Sequence, residues 1–261
     1  MPCEGDGTLL KLAIYGKGGI GKSTVAANCA AAFADRGLRV MQIGCDPKAD
    51  STLALRGGKP LTSVLDLLRS SPDVALDDMV LRSPAGVFCV EAGGPVPGVG
   101  CAGRGIIAAL EKLAEKGAYE VIRPDVVLYD VLGDVVCGGF SMPMRQGYAD
   151  SVCIVTSGEP MSVYAAANIA MAVRNFQGRG YAKLGGFILN RRGVPDEDEK
   201  VEALARDFAA PVLARIDRSG DVQRAEMQMR PVVRAFPDSP AAAQFRSLAE
   251  TLLAQNGEKT C

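Results

Sequence analysis

The stretch LKLAIYGKGGIGKSTVAANCAAAFAD, which runs from Leu10 to Asp35, decides the fold. Its apolar start, Leu10–Tyr15, predicts a buried strand, and Lys22–Asp35 predicts a helix. Between them, Gly16–Ser23 (GKGGIGKS) matches the phosphate-loop pattern GxxxxGK[ST] in full. Such a loop points its backbone amides at phosphate oxygens, and the helix N-terminus adds partial positive charge. The stretch therefore predicts a nucleotide-binding α/β unit.

The rest of the chain repeats this alternation of apolar runs and helical stretches. Continuous Val/Ile/Leu runs separated by helices predict a doubly wound, mostly parallel sheet with helices on both faces, as in P-loop NTPases. We expect a single nucleotide-binding domain over residues 1–261 with short flexible tails, and Pro195–Lys200 has the composition of a charged linker. Further strands are predicted at Arg39–Ile43, Val87–Glu91, Asp125–Val131, Ser151–Thr156, Leu184–Leu189 and Val212–Ile216, and further helices at Ile106–Lys116, Ser162–Asn175 and Ala241–Gln255.

Composition and charge argue against several classes of protein. The 261 residues include 29 basic and 30 acidic ones, a balance that does not favour a nucleic-acid binder. Apolar runs are too short for a membrane span, and Met1–Asp6 is too polar for a secretory signal, so we expect a cytoplasmic protein without a membrane partner. Because the chain contains no histidine, base catalysis and metal binding fall to carboxylate, lysine or cysteine.

The glycine-rich loop supplies most of the predicted nucleotide contacts. We expect Lys22 to reach the β- and γ-phosphates of ATP and Ser23 to bind Mg²⁺. Lys17 is a second lysine that an ordinary phosphate loop does not need. It either neutralises transition-state charge on a neighbouring subunit's nucleotide, which would require a dimer, or is a solvated surface lysine. The predicted phosphate-binding residues are Gly16, Lys17, Gly18, Gly19, Ile20, Gly21, Lys22, Ser23 and Thr24.

Acidic residues follow two of the predicted strands, at the sheet edge where ligands bind. They are Asp46 and Asp50, with Lys48 between them, in CDPKAD, Asp130 at the end of DVVLYD, and Asp134 shortly afterwards. Asp130 stands where a carboxylate facing Mg²⁺ belongs, and Asp134 stands where a loop can sense the γ-phosphate. Without histidine, Asp46 or Asp134 must orient the attacking water. Taken singly, each aspartate is equally consistent with a helix cap.

Two of the eight cysteines lie in glycine-rich loops after strands, Cys101 in GVGCAGRG and Cys137 in DVVCGGF. Glycine neighbours permit the close backbone approach and N–H donation to sulfur that iron–sulfur clusters need. A cubane cluster takes four thiolates, however, and the chain has no CxxC pair. Spacing alone therefore favours buried thiols, unless a two-fold dimer brings both cysteines of each subunit to one cluster.

The chain resembles the nitrogenase iron protein family in the segments YGKGGIGKST, GCDPKADST, GGPVPGVGCAGRG, YDVLGDVVCGGF and QRAE. The resemblance implies a homodimer bridged by one [4Fe–4S] cluster, with MgATP, or ADP after hydrolysis, on each subunit. It implies that Cys101 and Cys137 bind the cluster and that Lys17 acts across the dimer. It also implies a first switch region with Asp46, Lys48 and Asp50, a second with Asp130 and Asp134, nucleotide contacts from Asn190, Gln223 and Glu226, and partner docking at Arg104.

The resemblance also implies a function, namely an ATP-dependent reductase component that passes electrons from the cluster to a larger catalytic component. Ferredoxin or flavodoxin would reduce the cluster. Asp130 and Cys137 are only seven residues apart, so a shift driven by the γ-phosphate would reach a cluster ligand directly.

Three departures of this sequence from the family pattern limit which catalytic partner we expect. Ile216–Ser219 (IDRS) replaces the Pro-Arg-Asp stretch that nitrogenase reductases usually carry, Leu61–Val87 is abbreviated, and the C-terminus is short. We therefore expect a nitrogenase-like system, with methylthio-alkane reductase as the partner, and keep the nitrogenase iron protein proper as the alternative. A partitioning or positioning P-loop ATPase without a cluster is the alternative from another class. A metallochaperone-like ATPase would also use paired cysteines, but the VLGDVVCGGF context argues against it.

Overall fold

The described strands form one sheet with the glycine-rich loop near its centre. A computed structural model of the chain describes residues 9–71, 73–94, 102–133, 142–144, 147–177 and 180–257. The strands are β1 Leu10–Tyr15, β2 Val40–Cys45, β3 Leu81–Arg82, β4 Phe88–Glu91, β5 Val126–Val131, β6 Ser151–Thr156, β7 Lys183–Asn190 and β8 Val212–Ile216. The sheet order is β3-β4-β2-β5-β1-β6-β7-β8. Every neighbouring pair is parallel except β3 with β4, which confirms the expected fold class.

Helices cover both faces of this sheet. They are α1 Lys22–Asp35, α2 Val64–Ser70, α3 Leu76–Met79, α4 Ala102–Glu115, α5 Ala118–Ile122, α6 Pro160–Gln177, α7 Glu197–Asp207, α8 Gly220–Met227, α9 Val232–Ala235 and α10 Pro240–Gly257, with short 3₁₀ turns at Ala54–Arg56 and Met142–Met144. Within the described part of the chain, no helix is both long and apolar enough to span a bilayer.

The core consists of two apolar clusters, one on each face of the sheet. Alternate residues of β1 face opposite sides, so Tyr15 joins the cluster under α4, α6 and α7, whereas Ile14 joins the cluster under α1, α9 and α10. Both side chains are at most 1% exposed. A sheet buried on both faces explains why its strands are continuous apolar runs rather than alternating ones.

The sequence located the central elements well and the edges poorly. The seven predicted strands are confirmed, each within two residues of its expected ends, and the predicted helices are present. The two-residue edge strand β3 and the helices α2, α3, α5, α7, α8 and α9 were not predicted. Residues 1–8 and 258–261, where tails were expected, lie outside the described residues.

The interpretation of Pro195–Lys200 as a linker is wrong, because α7 begins within it at Glu197. The acidic first turn suits the positive end of the helix dipole. Glu197 is only 7% exposed, and its carboxylate accepts hydrogen bonds from the backbone N–H groups of Arg192 (3.0 Å) and Gly193 (3.1 Å). The charged run Pro195–Lys200 therefore contains the residue that anchors α7 to the loop after β7.

We predict that Glu197→Ala lowers the free energy of unfolding by about 2 kcal/mol, because two backbone donors lose their acceptor. Glu197→Gln keeps one acceptor oxygen but turns its NH₂ group toward the other backbone donor, so it should cost about 1 kcal/mol, less than Glu197→Ala. Glu199→Ala, at an exposed position in the same turn, is the matched control and should be nearly neutral. Urea unfolding measures all three, and equal losses for Glu197→Ala and Glu199→Ala would contradict the anchoring role.

Candidate functional site

The glycine-rich loop leaves the carboxyl end of β1, between the ends of β5 and β6. Gly16 has a φ of +148°, and a Cβ there would lie 2.3 Å from the carbonyl oxygen of Val155 in β6, so only glycine fits. The loop leads directly into α1, where the N–H of Val25 donates to Gly21 O at 2.9 Å. The first N–H groups of α1 have no acceptor within the helix, which suits them to an anion.

A cleft of about 450 Å³ opens beside the loop, a size within the usual range for small-ligand sites. It brings together most of the nucleotide residues expected from the sequence: Gly18, Gly19, Gly21, Lys22, Ser23, Thr24, Asp46, Lys48, Asp50, Asn190, Gln223 and Glu226. Arg191, Arg192 and Phe245 also line it and were not predicted. The two arginines directly follow Asn190 at the end of β7, which is the signal that could have found them.

Lys22 lines the cleft, whereas Asp130 is buried behind Ser23, a residue that lines it. Lys22 is 8% exposed, and its Nζ donates to the carbonyl of Lys17 at 3.3 Å. Burial raises the pKa of Asp130, against hydrogen bonds from Ser23 and Ser51 and the charge of Lys22, which lower it. Asp130 Oδ1 has no hydrogen-bond partner among the described residues. A buried carboxylate oxygen with a spare lone pair, beside a serine hydroxyl, is a donor set that suits Mg²⁺.

Side-chain contacts hold the part of the cleft formed by β7 and α8. Asn190 Nδ2 donates to Ile20 O in the loop at 2.7 Å, and Thr24 Oγ1 donates to Glu226 Oε1 at 2.9 Å. These contacts tie β7 and α8 to the loop and to α1. Gln223, one helical turn before Glu226, shares the same lining.

The IDRS stretch is fixed in place beside this part of the cleft. Arg191 Nη1 donates to Asp217 Oδ1 at 2.5 Å, and Gln244 Nε2 donates to Asp217 Oδ2 at 2.7 Å. The hydrogen bond from Arg191 is the main reason that the pKa of Asp217 is lowered. With both carboxylate oxygens engaged, Asp217 acts as a clamp on the loop between β8 and α8.

Lys17 does not line this cleft. It borders an adjoining cavity of about 380 Å³, which Gly18, Gly19 and Arg192 share with the cleft. The Arg192 Nη2 donates to Gly19 O at 2.7 Å, which holds that arginine against the loop between the two cavities. The loop therefore presents Lys22 to one side and Lys17 to another.

The two predicted switch regions start from the sheet edge as expected. In the first, Asp46 Oδ1 accepts from the Lys48 N–H at 2.9 Å, so this aspartate also stabilises its own turn. In the second, Gly133 lies so close to the loop that a Cβ would lie 2.1 Å from Gly16 O. Asp134, which follows directly, lies outside the described residues.

The predicted cluster ligands, Cys101 and Cys137, lie outside the described residues as well. Arg104, the predicted docking residue, is exposed near the start of α4 and does not line the cleft. Cys29, Cys45, Cys89 and Cys153 are buried free thiols. Burial raises the pKa of Cys153 to about 12, so this thiol stays protonated at neutral pH. Among the residues that the structure describes, no group of three or more metal-binding side chains lies together.

Sequence reasoning missed one buried acid, Glu91, which is 0% exposed at the end of β4. Its Oε1 accepts from the N–H of Thr52 (2.7 Å) and from the Thr52 hydroxyl (2.6 Å). Burial raises the pKa of Glu91 to about 7, the hydrogen bonds from Thr52 oppose this, and the negative charges of Asp130 and Asp50 add to it. Its place at the carboxyl end of a strand was the available signal.

Sequence comparison identifies close relatives of the chain. The sequence profile described as "4Fe-4S iron sulfur cluster binding proteins, NifH/frxC family" matches residues 10–260. The nitrogenase iron protein of Methanospirillum hungatei is 52% identical over 247 residues, covering 93% of this chain and 87% of that protein. Nitrogenase iron protein 2 of Methanothermobacter thermautotrophicus is 50% identical over 242 residues, covering 93% and 89%.

Solved structures share the fold at much lower identity. The cell division ATPase MinD of Pyrococcus furiosus superposes with a TM-score of 0.73 over 94% of this chain and 99% of that one, at 23% identity. A ParA family ATPase from Chlorobium tepidum gives 0.70 over 93% and 98%, at 18% identity. These likenesses concern the fold alone.

The raised pKa of Glu91 predicts a pH-dependent stability. Its carboxyl has a folded-state pKa of about 7 against an ordinary 4.5, so the unfolded chain releases this proton at lower pH than the folded one. The folded state consequently loses about 3 kcal/mol as pH rises through that window. Glu91→Gln lacks this loss, so from about pH 5 to about pH 8 its stability relative to wild type should rise by that amount. Urea unfolding across this range measures the difference, and a difference independent of pH would contradict the assignment.

Proposed function

The chain belongs to the NifH/frxC family of 4Fe-4S cluster binding proteins, and we propose that it transfers electrons, with ATP hydrolysis, to a larger catalytic component of a nitrogenase-like system. It is a NifH-like reductase component by its relatives. The observation that carries the proposal is 52% identity to a nitrogenase iron protein over 93% of this chain. A partitioning or positioning ATPase is not favoured, since the likeness to MinD and ParA structures rests on 18–23% identity.

The nucleotide half of the proposal rests on the cleft. In it, the amides of Gly18–Lys22 and the Lys22 ammonium would bind the phosphates, and Ser23, with the buried Asp130 behind it, would hold Mg²⁺. When bound, Mg²⁺ offsets the negative charge of the phosphates and orients them. The unpartnered Oδ1 of Asp130 supports this role. Asp46, which lines the cleft, or Asp134 orients the attacking water.

The remaining contacts of the cleft would select the nucleotide. Lys48, Asp50, Asn190, Gln223 and Glu226 line it, and we assign Asn190, Gln223 and Glu226 to the nucleoside end because they lie on β7 and α8. Asn190 and Glu226 are already held by Ile20 and Thr24. These side chains are therefore largely in position before a nucleotide binds, which limits the side-chain entropy lost on binding.

Lys17 is proposed to act on the nucleotide of a second subunit. Its absence from the lining of the cleft that holds Lys22 supports this role, because Lys17 is then not placed to bind the same phosphates from the cleft. A cation delivered across a homodimer stabilises charge that develops in the transition state. Hydrolysis then requires two chains.

Cys101 and Cys137 are proposed to bind one [4Fe–4S] cluster shared by the two subunits. Such a cluster supplies one-electron redox chemistry when bound. The position of each cysteine in the chain supports the assignment: Cys101 directly precedes α4, and Cys137 lies four residues beyond Gly133, whose backbone touches the phosphate loop. Ferredoxin or flavodoxin is the proposed electron donor.

The catalytic partner is proposed to be a nitrogenase-like component, with methylthio-alkane reductase as the candidate. The clamped IDRS stretch, Ile216–Ser219, supports a partner outside nitrogenase proper, since this is where the chain departs from the family pattern. Nitrogenase itself is the second candidate, favoured by relatives that are named nitrogenase iron proteins. The exposed Arg104 is the proposed docking residue for either partner.

Anaerobic purification tests the cluster. We predict a brown homodimer with about four iron atoms per two chains, and loss of that iron in Cys101→Ser and in Cys137→Ser. Cys29→Ala, at a buried position in α1, is the control and should keep the iron. A colourless dimer, or one that keeps its iron with both cysteines replaced, would refute the bridging cluster.

ATP turnover tests Lys17. We predict that Lys17→Ala reduces hydrolysis at least about a hundredfold, as removal of a finger residue does, while nucleotide affinity changes by less than about fivefold. Lys59→Ala, at an exposed lysine, should hydrolyse ATP normally. Turnover of Lys17→Ala at the wild-type rate would rule out the role across the dimer.

A further inference from the structure

The buried acid Glu91 touches the first switch region, defined here as Asp46–Thr52. Its Oε1 accepts from both the backbone N–H and the hydroxyl of Thr52, at 2.7 and 2.6 Å. Glu91 Oε2 has no hydrogen-bond partner among the described residues, and a Cβ on Gly44 would lie 2.0 Å from it. The absence of a side chain at Gly44 thus makes room for the carboxyl under the switch.

The neighbouring residue of the switch faces the other buried acid. Ser51 hydrogen-bonds Asp130, and its carbonyl and hydroxyl accept from Gln42 Nε2 at 3.0 and 2.9 Å. Ser51 and Thr52 are 2% and 1% exposed. Two consecutive buried residues therefore contact the proposed Mg²⁺ ligand on one side and Glu91 on the other.

Glu91 also begins the stretch that leads to Cys101, and this stretch rests on the same switch. Three residues after Glu91, Gly94 lies so close to Pro47 that a Cβ would lie 2.4 Å from the Pro47 Cβ. Between these points, Ala92 O accepts from the Leu65 N–H at 3.2 Å. Glu91 and Gly94 are thus two contacts between the switch and the segment before Cys101.

The segment after Cys101 is anchored at the same place. In α4, a Cβ on Gly105 would lie 2.4 Å from Cδ1 of Leu65 and 3.8 Å from Cα of Gly94. The residues on both sides of Cys101 therefore converge on α2 and on the first switch. A displacement of Thr52 or Pro47 therefore has a short path of packed contacts, through Glu91 and Gly94, to the segments on both sides of Cys101.

We propose that Glu91 is a positioning residue that couples the first switch region to the stretch carrying Cys101. Nucleotide binding then reaches the cluster through Cys101 as well as through the second switch and Cys137. The inference rests on the proposed function, because it requires both MgATP and the cluster.

The test measures how far MgATP changes the rate at which a ferrous chelator removes iron from the anaerobically purified dimer. In Glu91→Ala we expect the effect of MgATP to fall at least about fivefold, whereas the rate without nucleotide, the iron content and the ATP affinity stay near wild type. A merely structural role would instead change the rate without nucleotide. Glu91→Gln keeps an acceptor for Thr52 and should restore most of the effect.

Thr52 gives an independent test if Glu91→Ala does not fold. Thr52→Val removes the hydroxyl contact and should weaken the effect of MgATP, whereas Thr52→Ser keeps the hydroxyl and should not. The double variant Glu91→Gln with Thr52→Val should lose no more than Thr52→Val alone, since both act on one contact. Glu111→Ala, at an exposed position on α4, is the remote control.

The outcomes separate the two proposals. A wild-type dimer without iron, or one whose iron is removed at the same rate with and without MgATP, defeats the proposed function and this inference with it. A wild type that responds to MgATP, with Glu91→Ala and Thr52→Val responding equally well, overturns the inference alone.

Discussion

One row of residues across the sheet sets the geometry on which the site depends. In the parallel register, Ile14 pairs with Asp130, Asp130 with Gly44, and Gly44 with Glu91. Neighbours in such a row point to the same face, and the strands are about 4.8 Å apart. Two buried carboxyls therefore flank a position that has no side chain, and Ser51 fills the space above it, since a Cβ on Gly44 would lie 2.6 Å from the Ser51 Cβ. This packing holds the first switch against both acids.

The same row explains how a small change at the nucleotide can act at a distance. The phosphate loop follows the first strand of the row, the second switch follows Asp130, and the stretch leading to Cys101 follows Glu91. A tightly packed protein interior deforms little. A shift of one loop is therefore transmitted to the neighbouring loops rather than absorbed by the packing between them. In the proposed function, these loops would connect bound ATP to the segments that carry the two cysteines. The similar fold of MinD and ParA ATPases shows that the sheet is a frame shared with other proteins, and a fold of this kind does not by itself fix the chemistry of its loops.

The sequence predicted the centre of the molecule and missed what only packing reveals. Leu10–Asp35 was predicted residue for residue because strand, loop and helix signals agree there. Glu197 was taken for part of a linker, since nothing in a charged run shows that its carboxylate will accept two backbone N–H groups. For Glu91, the only signal in the sequence was its place at the end of a strand. The contacts that make it important are with Thr52 and Gly44, which are distant in sequence. The roles of Lys17, Cys101 and Cys137 remain predictions.

The central claim is that nucleotide binding alters a cluster shared by two chains. Electron paramagnetic resonance of the dithionite-reduced protein tests it most directly, because the signal reports the surroundings of the cluster rather than turnover. The account predicts about one reduced cluster per two chains and a change in line shape when MgATP is added. One signal per chain, or a line shape identical with and without saturating MgATP, would contradict it.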